Sequence, residues 1–142
     1  MPVSQDDIDF IKRAFVDFGE SFESIRSGGV DAYFERLYVP DAVVENVDGF
    51  PVPGRYEGLE GYRQFFEDTY GPYDGVSYEV VSIKPVEDRV VVLVRASGRP
   101  QEHPVDLEVA LGITYEMRGG KIAHVRVYLG HERAVDAARS GG

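Results

Sequence analysis

The chain has 142 residues, enough for one domain that buries about two-thirds of its unfolded surface without disulfides or metals. It contains no cysteine, which excludes disulfides, thiolate metal sites and a cysteine nucleophile. A net charge of −10, spread along the chain, would repel phosphate groups, so we expect neither nucleic acid nor a membrane as a partner. The N-terminus lacks the pattern of a signal peptide, and we predict one cytoplasmic domain over residues 1–142.

Hydrophobic periodicity predicts three helices in the first half of the chain. The first begins at a capping box formed by Ser4 and Asp7, repeats apolar residues at spacings of three and four, and stops at a Ser-Gly-Gly turn. The second is shorter and is ended by the pair Pro40-Asp41. The third runs from about Leu59 to Tyr70, where a Gly-Pro pair breaks it.

A short strand over Ala42–Val47 and a proline-rich loop over Asp48–Gly54 separate the second helix from the third. The second half of the chain consists of strands joined by turns, the last of them an Arg-Gly-Gly-Lys hairpin. These strands are predicted over Val76–Ile83, Arg89–Ser97, Leu107–Met117 and Ile122–Leu129. The tail over residues 132–142 is weakly helical, and we expect it to be frayed.

Alternation along the last two strands separates two faces of the predicted sheet. Leu111, Ile113 and Tyr115 share one face of their strand, and Val127 lies on the corresponding face of the next. We expect these apolar faces to look toward the helices, and the mixed faces to suit water or a homodimer contact. The pattern predicts an α+β fold in which a curved antiparallel sheet and three helices enclose a pocket.

The order of these elements, with the segments YVPDAVVEN, GLEGYRQFF and RGGKIAHVRVY, resembles the SnoaL-like branch of the nuclear transport factor 2-like superfamily. That superfamily includes polyketide cyclases, ketosteroid isomerases and limonene-epoxide hydrolases. The resemblance implies a cystatin-like cone: three N-terminal helices packed on a strongly curved, mostly antiparallel sheet around an apolar pocket. It also implies a small hydrophobic molecule as the ligand and a homodimer formed through the outer sheet face. It implies no single reaction, because one fold hosts many chemistries.

The resemblance to ketosteroid isomerases does not extend to their catalytic groups. Their general base is an aspartate at the end of the first strand, where this chain has Asn46, and an amide cannot accept a proton at neutral pH. Ile113 and Phe22 stand near the two positions of the oxyanion hole. We therefore exclude that mechanism.

The resemblance to limonene-epoxide hydrolases is closer in local sequence but also incomplete. Asn46 and Arg95 match two of their catalytic residues, whereas Val44 replaces a tyrosine. Ser97 and Val127 stand where the resemblance would place two aspartates, so no carboxylate is left to activate water. We expect no ordinary epoxide hydrolysis by that mechanism.

Arg95 is the first candidate for a functional residue. It interrupts an apolar run, and alternation puts it on a face with Val91 and Leu93, where a buried guanidinium must be paired. We predict a clamp for an oxyanion or carboxylate. Two alternatives stay open: a neighbouring acidic residue pairs with Arg95 structurally, or the face assignment slips by one residue.

Two further polar residues are candidates for catalysis. Asn46 could orient a substrate oxygen or a water, although it could equally satisfy backbone groups at the end of its strand. His103, in a loop between two strands, is the first candidate for a general acid or base, with a surface histidine as the alternative. The sequence has no recognisable metal-ligand spacing, and we expect neither a metal nor a cofactor. The residues predicted to contact the substrate are Ser97, Tyr115, Ile113, Leu111, Val127, Val44 and Phe22.

These observations favour a cofactor-independent enzyme that isomerises, cyclises or dehydrates a hydrophobic, oxygenated substrate of polyketide or terpenoid type. One alternative is a non-catalytic module of the same fold that binds a hydrophobic ligand or a protein. A second alternative is an enzyme similar to epoxide hydrolases with an altered catalytic set.

Overall fold

The computed structural model describes residues 3–47, 54–102 and 105–139. Most of the predicted proline-rich loop and the candidate His103 lie outside these residues. None of the described helices is long and apolar enough to cross a membrane.

Three helices come first along the chain and cover one side of the sheet. Helix α1 spans Gln5–Ser24, and the Ser4 hydroxyl caps it by accepting a hydrogen bond from the Asp7 amide at 3.1 Å. A π-helical turn at Ile25–Gly29 joins it to α2, Val30–Leu37, and the positive φ of 121° at Gly28 permits the kink. Helix α3 spans Gly58–Tyr70. The three predicted helices are thus confirmed.

The described residues contain six strands: β1 Tyr38–Asn46, β2 Gly54–Glu57, β3 Tyr73–Val86, β4 Arg89–Pro100, β5 Leu107–Arg118 and β6 Lys121–Leu129. They form one open, mixed sheet in the order β2-β1-β6-β5-β4-β3. Among these strands only β1 and β6 pair in parallel, since β1 lies next to the last strand of the antiparallel series β3 to β6. The register aligns Asn46 with Val127 across that pair and with Gly54 across the antiparallel β1–β2 pair.

The main core lies between the three helices and the sheet face that looks toward them. Ile11 of α1, Phe34 of α2 and Phe66 of α3 are buried against Val92 and Val125 of the sheet. Aromatic rings dominate the helical side: Phe18 alone lies within 6.5 Å, between ring centroids, of five other rings. This packing fixes the three helices as one wall of the space between helices and sheet.

The C-terminal segment, predicted as a weakly helical tail, contains a further helix, α4, at His131–Arg139 on the opposite face of the sheet. The frayed end predicted after it falls on residues 140–142, outside the described residues. Residues Ala134 and Ala138 of α4 are buried in a second, smaller core with Val91 and Tyr128. Two small residues spaced four apart let the helix lie close to the strands, and this contact stabilises the end of the chain.

The outer sheet face next to α4 carries a network of charges. His124 lies 2.5 Å from a Glu45 carboxylate oxygen, and Arg126 donates a hydrogen bond to Glu116 at 3.0 Å. Glu116 also lies 3.9 Å from Arg89, whose side chain is 8% exposed. Since α4 covers one part of this face and the network occupies another, a homodimer formed here would meet a polar surface. Homodimerisation stays a prediction.

Candidate functional site

A cavity of about 650 Å³ lies between the three helices and the inner face of the sheet. Helix α1 contributes Phe15 and Phe18 to its wall, and β5 contributes Leu111, Ile113 and Tyr115. Cavities of roughly 300–1,000 Å³ with mostly apolar walls are typical of sites for small organic ligands. The cavity therefore has the size and surface of a small-molecule site.

Tyrosine is the commonest residue with a polar side chain in the described lining of this cavity. The tyrosines come from helices α2 and α3 and from strands β1, β3 and β5. The lining tyrosines are Tyr33, Tyr38, Tyr62, Tyr70, Tyr73, Tyr78 and Tyr115. A phenol can donate and accept a hydrogen bond while its ring packs against apolar groups, so this lining suits a ligand that is both hydrophobic and oxygenated.

Four of these tyrosines pair with each other. The Tyr70 and Tyr78 hydroxyls lie 2.7 Å apart, and Tyr38 forms a hydrogen bond with Tyr62. Burial raises the pKa of Tyr78 to about 12 and the pKa of Tyr70 well above its ordinary value of 10.0. All four phenols are consequently neutral at physiological pH, and they can act as hydrogen-bond donors but not as bases.

The hydroxyls of Tyr33 and Tyr115 have no hydrogen-bond partner among the residues that the structure describes. Their side chains are nevertheless buried, with residues 7% and 8% exposed. Burial raises the pKa of both phenols well above the ordinary value, so both keep their protons. Because both residues line the cavity, a ligand oxygen there could accept a hydrogen bond from either hydroxyl.

One carboxylate of α3 also reaches the cavity wall. Asp68 accepts hydrogen bonds from the Tyr56 hydroxyl at 2.9 Å and from the Gln64 side-chain amide at 2.7 Å. Tyr56 comes from β2, so the bond ties the short edge strand to the helix. Burial, followed by the bond to Asp68, raises the pKa of Tyr56. The two hydrogen bonds hold a carboxyl group at the rim of an apolar site.

Seven of the ten predicted site residues lie in the cavity wall. Phe22 lies instead in the aromatic core, where its ring packs against Phe18 and Phe66. His103 is outside the described residues. Asn46, at the end of β1, lies in the wall where β1 meets β2 and β6. The seven are Asn46, Ser97, Tyr115, Ile113, Leu111, Val127 and Val44. Their roles in binding or catalysis stay predictions.

The inward position predicted for Arg95 is wrong. Its side chain is 58% exposed and lies 3.4 Å from Glu108 and 3.9 Å from Glu79. The error comes from the apolar run before it. Val91 and Leu93, which share its face, are covered by α4 rather than by the cavity, so apolar neighbours do not identify the inner face. The alternative of structural pairing with acidic neighbours describes Arg95 correctly.

Sequence reasoning did not single out Asp68. It lies at the end of α3 in the segment Glu67-Asp68-Thr69-Tyr70, where an acidic pair looks like a solvated helix face. The contact with Tyr56, twelve positions earlier in the chain, ties Asp68 to β2. The local signal was the spacing of Gln64 and Asp68, which lets their side chains bond along one helix face.

The described side chains offer no metal site: no group of three or more His, Cys, Asp or Glu residues among them could hold a metal ion. The described polar side chains of the cavity wall are phenols, an amide, hydroxyls and carboxylates.

A long N-terminal helix, two further helices and an open mixed sheet around a cavity define the fold class of nuclear transport factor 2-like, or cystatin-like, proteins. The chain belongs to the family of SnoaL-like domains, whose model matches residues 18–125. A search of curated proteins found no significant match.

Solved structures with the same fold cover nearly the whole chain at low identity. Bal32a, from a soil-derived mobile gene cassette, is 19% identical, with 93% of this chain and 95% of that chain covered and a TM-score of 0.70. A putative SnoaL-like polyketide cyclase from Jannaschia sp. CCS1 is 17% identical, with 100% and 96% covered and a TM-score of 0.69. TerC, co-crystallised with polyporic acid, is 18% identical, with 96% and 99% covered and a TM-score of 0.67.

Proposed function

We propose that the protein is a cofactor-independent enzyme that isomerises, cyclises or dehydrates a hydrophobic, oxygenated small molecule in this cavity. The observation that carries the proposal is the pair of buried phenols, Tyr33 and Tyr115, whose hydroxyls have no partner among the described residues. Both residues line the cavity, where each phenol can donate a hydrogen bond to a ligand. A bound oxygen atom is the natural acceptor for each of them.

The walls restrict the ligand further. Aromatic and branched side chains on both sides of the cavity favour a ligand with a flat or compact apolar body, since burial of that surface drives binding. The likeness to a putative polyketide cyclase and to a protein co-crystallised with polyporic acid supports an oxygenated ligand, although at under 20% identity it establishes only the fold. A polyketide- or terpenoid-like molecule meets these requirements.

The phenols also suit the proposed chemistry. Where isomerisation, cyclisation or dehydration proceeds through an enolate, negative charge develops on an oxygen atom, and a neutral donor fixed in a dry site stabilises that charge. Each preorganised donor can lower the barrier by about 3 kcal/mol. Because burial keeps Tyr33 and Tyr115 protonated, both can donate at physiological pH. Arg95 has no part in this scheme.

The proposal is tested first by binding. We expect 2-hydroxy-1,4-naphthoquinone, a flat oxygenated probe, to quench the fluorescence of the tyrosines, since the chain has no tryptophan. Tyr115→Phe should weaken binding about three- to tenfold, the loss of one hydrogen bond. Tyr128→Phe is the matched control, because Tyr128 is buried on the outer face under α4. Absence of binding, or equal effects of the two substitutions, would contradict the proposal.

A non-catalytic module of the same fold would bind the probe equally well. The enzyme and the module are separated by turnover: the enzyme must change the mass or absorbance of a bound oxygenated substrate, and the module must release it unchanged.

Homodimerisation, which accompanies this proposal, is tested by sedimentation, where a dimer would have twice the mass of the 15.8 kDa chain.

A further inference from the structure

Few groups in the described cavity wall can accept a proton at neutral pH. Burial raises the pKa of six lining tyrosines, so these phenols keep their protons and do not act as bases. The side chains of Asn46, Thr69 and Ser97 are not bases either. No histidine of the described residues lies in the wall. Two carboxylates remain, Asp68 and Glu108.

The surroundings of these two carboxylates differ. The Glu108 side chain is 60% exposed and lies 3.4 Å from the Arg95 guanidinium, so its charge is already paired on the solvent side. Asp68 has no cation within salt-bridge distance among the described residues. Its partners are two neutral donors, the Tyr56 hydroxyl and the Gln64 amide. The Asp68 carboxyl group thus has neutral partners and no counter-ion among the described residues at the rim of an apolar cavity.

The hydrogen bonds of Asp68 also hold it in one orientation. Tyr56 binds one carboxylate oxygen at 2.9 Å, and Gln64 binds the other at 2.7 Å. The Tyr56 ring is itself fixed, because it packs edge-on against Phe65 of α3 at 5.5 Å between centroids. An ionised carboxylate has about four lone-pair sites, so two hydrogen bonds leave it further acceptor capacity. A base needs this combination of fixed position and free acceptor capacity.

We propose that Asp68 is the catalytic base of this cavity and that it removes a proton from a carbon adjacent to a ligand carbonyl. This assignment rests on the proposed function. The C–H bond breaks, its electron pair forms the C=C bond of an enolate, and the proton moves to an Asp68 oxygen. The negative charge develops on the ligand oxygen, where a phenol such as Tyr115 can donate a hydrogen bond. Asp68 then returns the proton to the same carbon or to a conjugated one.

The proposal is tested with 2-tetralone, a bicyclic ketone with acidic protons next to its carbonyl group. In D₂O the full-length protein should exchange these protons for deuterium faster than buffer alone, as followed by NMR. Asp68→Asn should lower the protein-dependent rate on the order of a hundredfold. Glu67→Gln is the matched control, since Glu67 is an exposed neighbour on the same helix and does not line the cavity.

Chemical rescue separates a base from a structural residue. Asp68→Ala should be inactive in exchange, and added formate should restore part of the rate, because a small carboxylate can occupy the vacated space. A merely structural Asp68 would give no rescue. Asp48→Asn and His103→Gln are measured in parallel, because both residues lie outside the described part of the chain. If either of these variants lost the exchange activity while Asp68→Asn kept it, the proposal would be overturned.

Binding of 2-tetralone is measured separately from exchange, by NMR line broadening. Binding to the wild-type protein without exchange above the buffer rate would overturn the role of Asp68 and leave the binding part of the proposed function intact. Absence of binding would count against the proposed function itself, and the role of Asp68 would fall with it. Retained binding with lost exchange in Asp68→Asn is the expected result.

Discussion

The hydroxyl oxygens of Tyr70 and Tyr78 lie 2.7 Å apart and join the end of α3 to β3 across the cavity wall. Both side chains are packed among aromatic rings, Tyr70 against Phe66 at 4.9 Å and Tyr78 against Phe15 at 5.5 Å between centroids. Each phenol is the hydrogen-bond partner of the other, so removal of one hydroxyl leaves the other unsatisfied. The pair should therefore contribute to the stability of the wall as well as to its polarity.

We expect Tyr78→Phe to lower the free energy of unfolding by about 1–3 kcal/mol, the cost of one unsatisfied buried group. Urea denaturation measures this change. Tyr73→Phe is the matched control, because Tyr73 lines the same cavity from the same strand and its hydroxyl has no partner among the described residues. Equal stability of the two variants would show that the Tyr70–Tyr78 bond contributes nothing.

The buried phenols also predict how stability depends on pH. Burial raises the pKa of Tyr78 from 10.0 to about 12 in the folded state, whereas the unfolded chain ionises near 10.0. The unfolded state therefore loses its protons first as the pH rises. The contribution of Tyr78 is fully present below about pH 9 and disappears between pH 10 and 12, a change on the order of 2–3 kcal/mol.

Two measurements check this dependence. Urea denaturation between pH 8 and pH 12 should give a free energy of unfolding that is constant at first and then falls. Absorbance at 295 nm should show part of the tyrosine titration displaced to high pH and released only on unfolding. A single titration near pH 10 in the folded protein, without loss of stability, would contradict the buried phenol cluster.

The positions of the elements along the chain could be predicted because they depend on local signals. The Ser4 cap, the glycine-rich turn after α1 and the hairpin before Lys121 each mark a boundary where the structure has one. The start of β1 was missed, since it runs from Tyr38 and includes Pro40. That proline is tolerated because the β1–β6 register shifts between Tyr38 and Val43, where no ladder bond is required.

The positions of polar side chains in space were harder to predict. Both faces of β4 are apolar, since Val90, Val92 and Val94 face the main core and Val91 packs in the second core, so alternation could not tell which face Arg95 shares. The cover for the outer face comes from α4, a helix whose sequence gives only a weak signal. Long-range contacts decide such positions, and a local pattern does not contain them.

Gly112 of β5 and Ala134 of α4 meet so closely that a Cβ atom on Gly112 would overlap with the Ala134 methyl group. It would also lie 3.2 Å from the Gly130 carbonyl oxygen. We expect Gly112→Ala to displace α4 and to lower the free energy of unfolding by about 1–3 kcal/mol, as measured in urea. Because α4 lies on the face opposite the cavity, binding of the naphthoquinone probe should be unchanged.

Gly75→Ala is the control for this substitution, because a Cβ atom on Gly75 of β3 would meet no heavy atom within 4 Å. Its stability should stay close to that of the wild type. A Gly112→Ala variant as stable as Gly75→Ala would show that α4 does not depend on this close contact. Loss of probe binding in Gly112→Ala would show instead that the outer helix and the cavity are coupled.

Arg95 provides the sharpest contrast between the sequence and the structure. As a ligand clamp it would be required for binding; as an exposed residue paired with Glu108 and Glu79 it should be dispensable. Exposed ion pairs contribute at most about 1 kcal/mol. We therefore expect Arg95→Met to keep the melting temperature within a few degrees of the wild-type value and to leave the naphthoquinone titration unchanged, in contrast to Tyr115→Phe. If the variant folded normally but no longer bound the probe, Arg95 would belong to the ligand site. The face of β4 that carries Arg95 would then have to look toward the ligand.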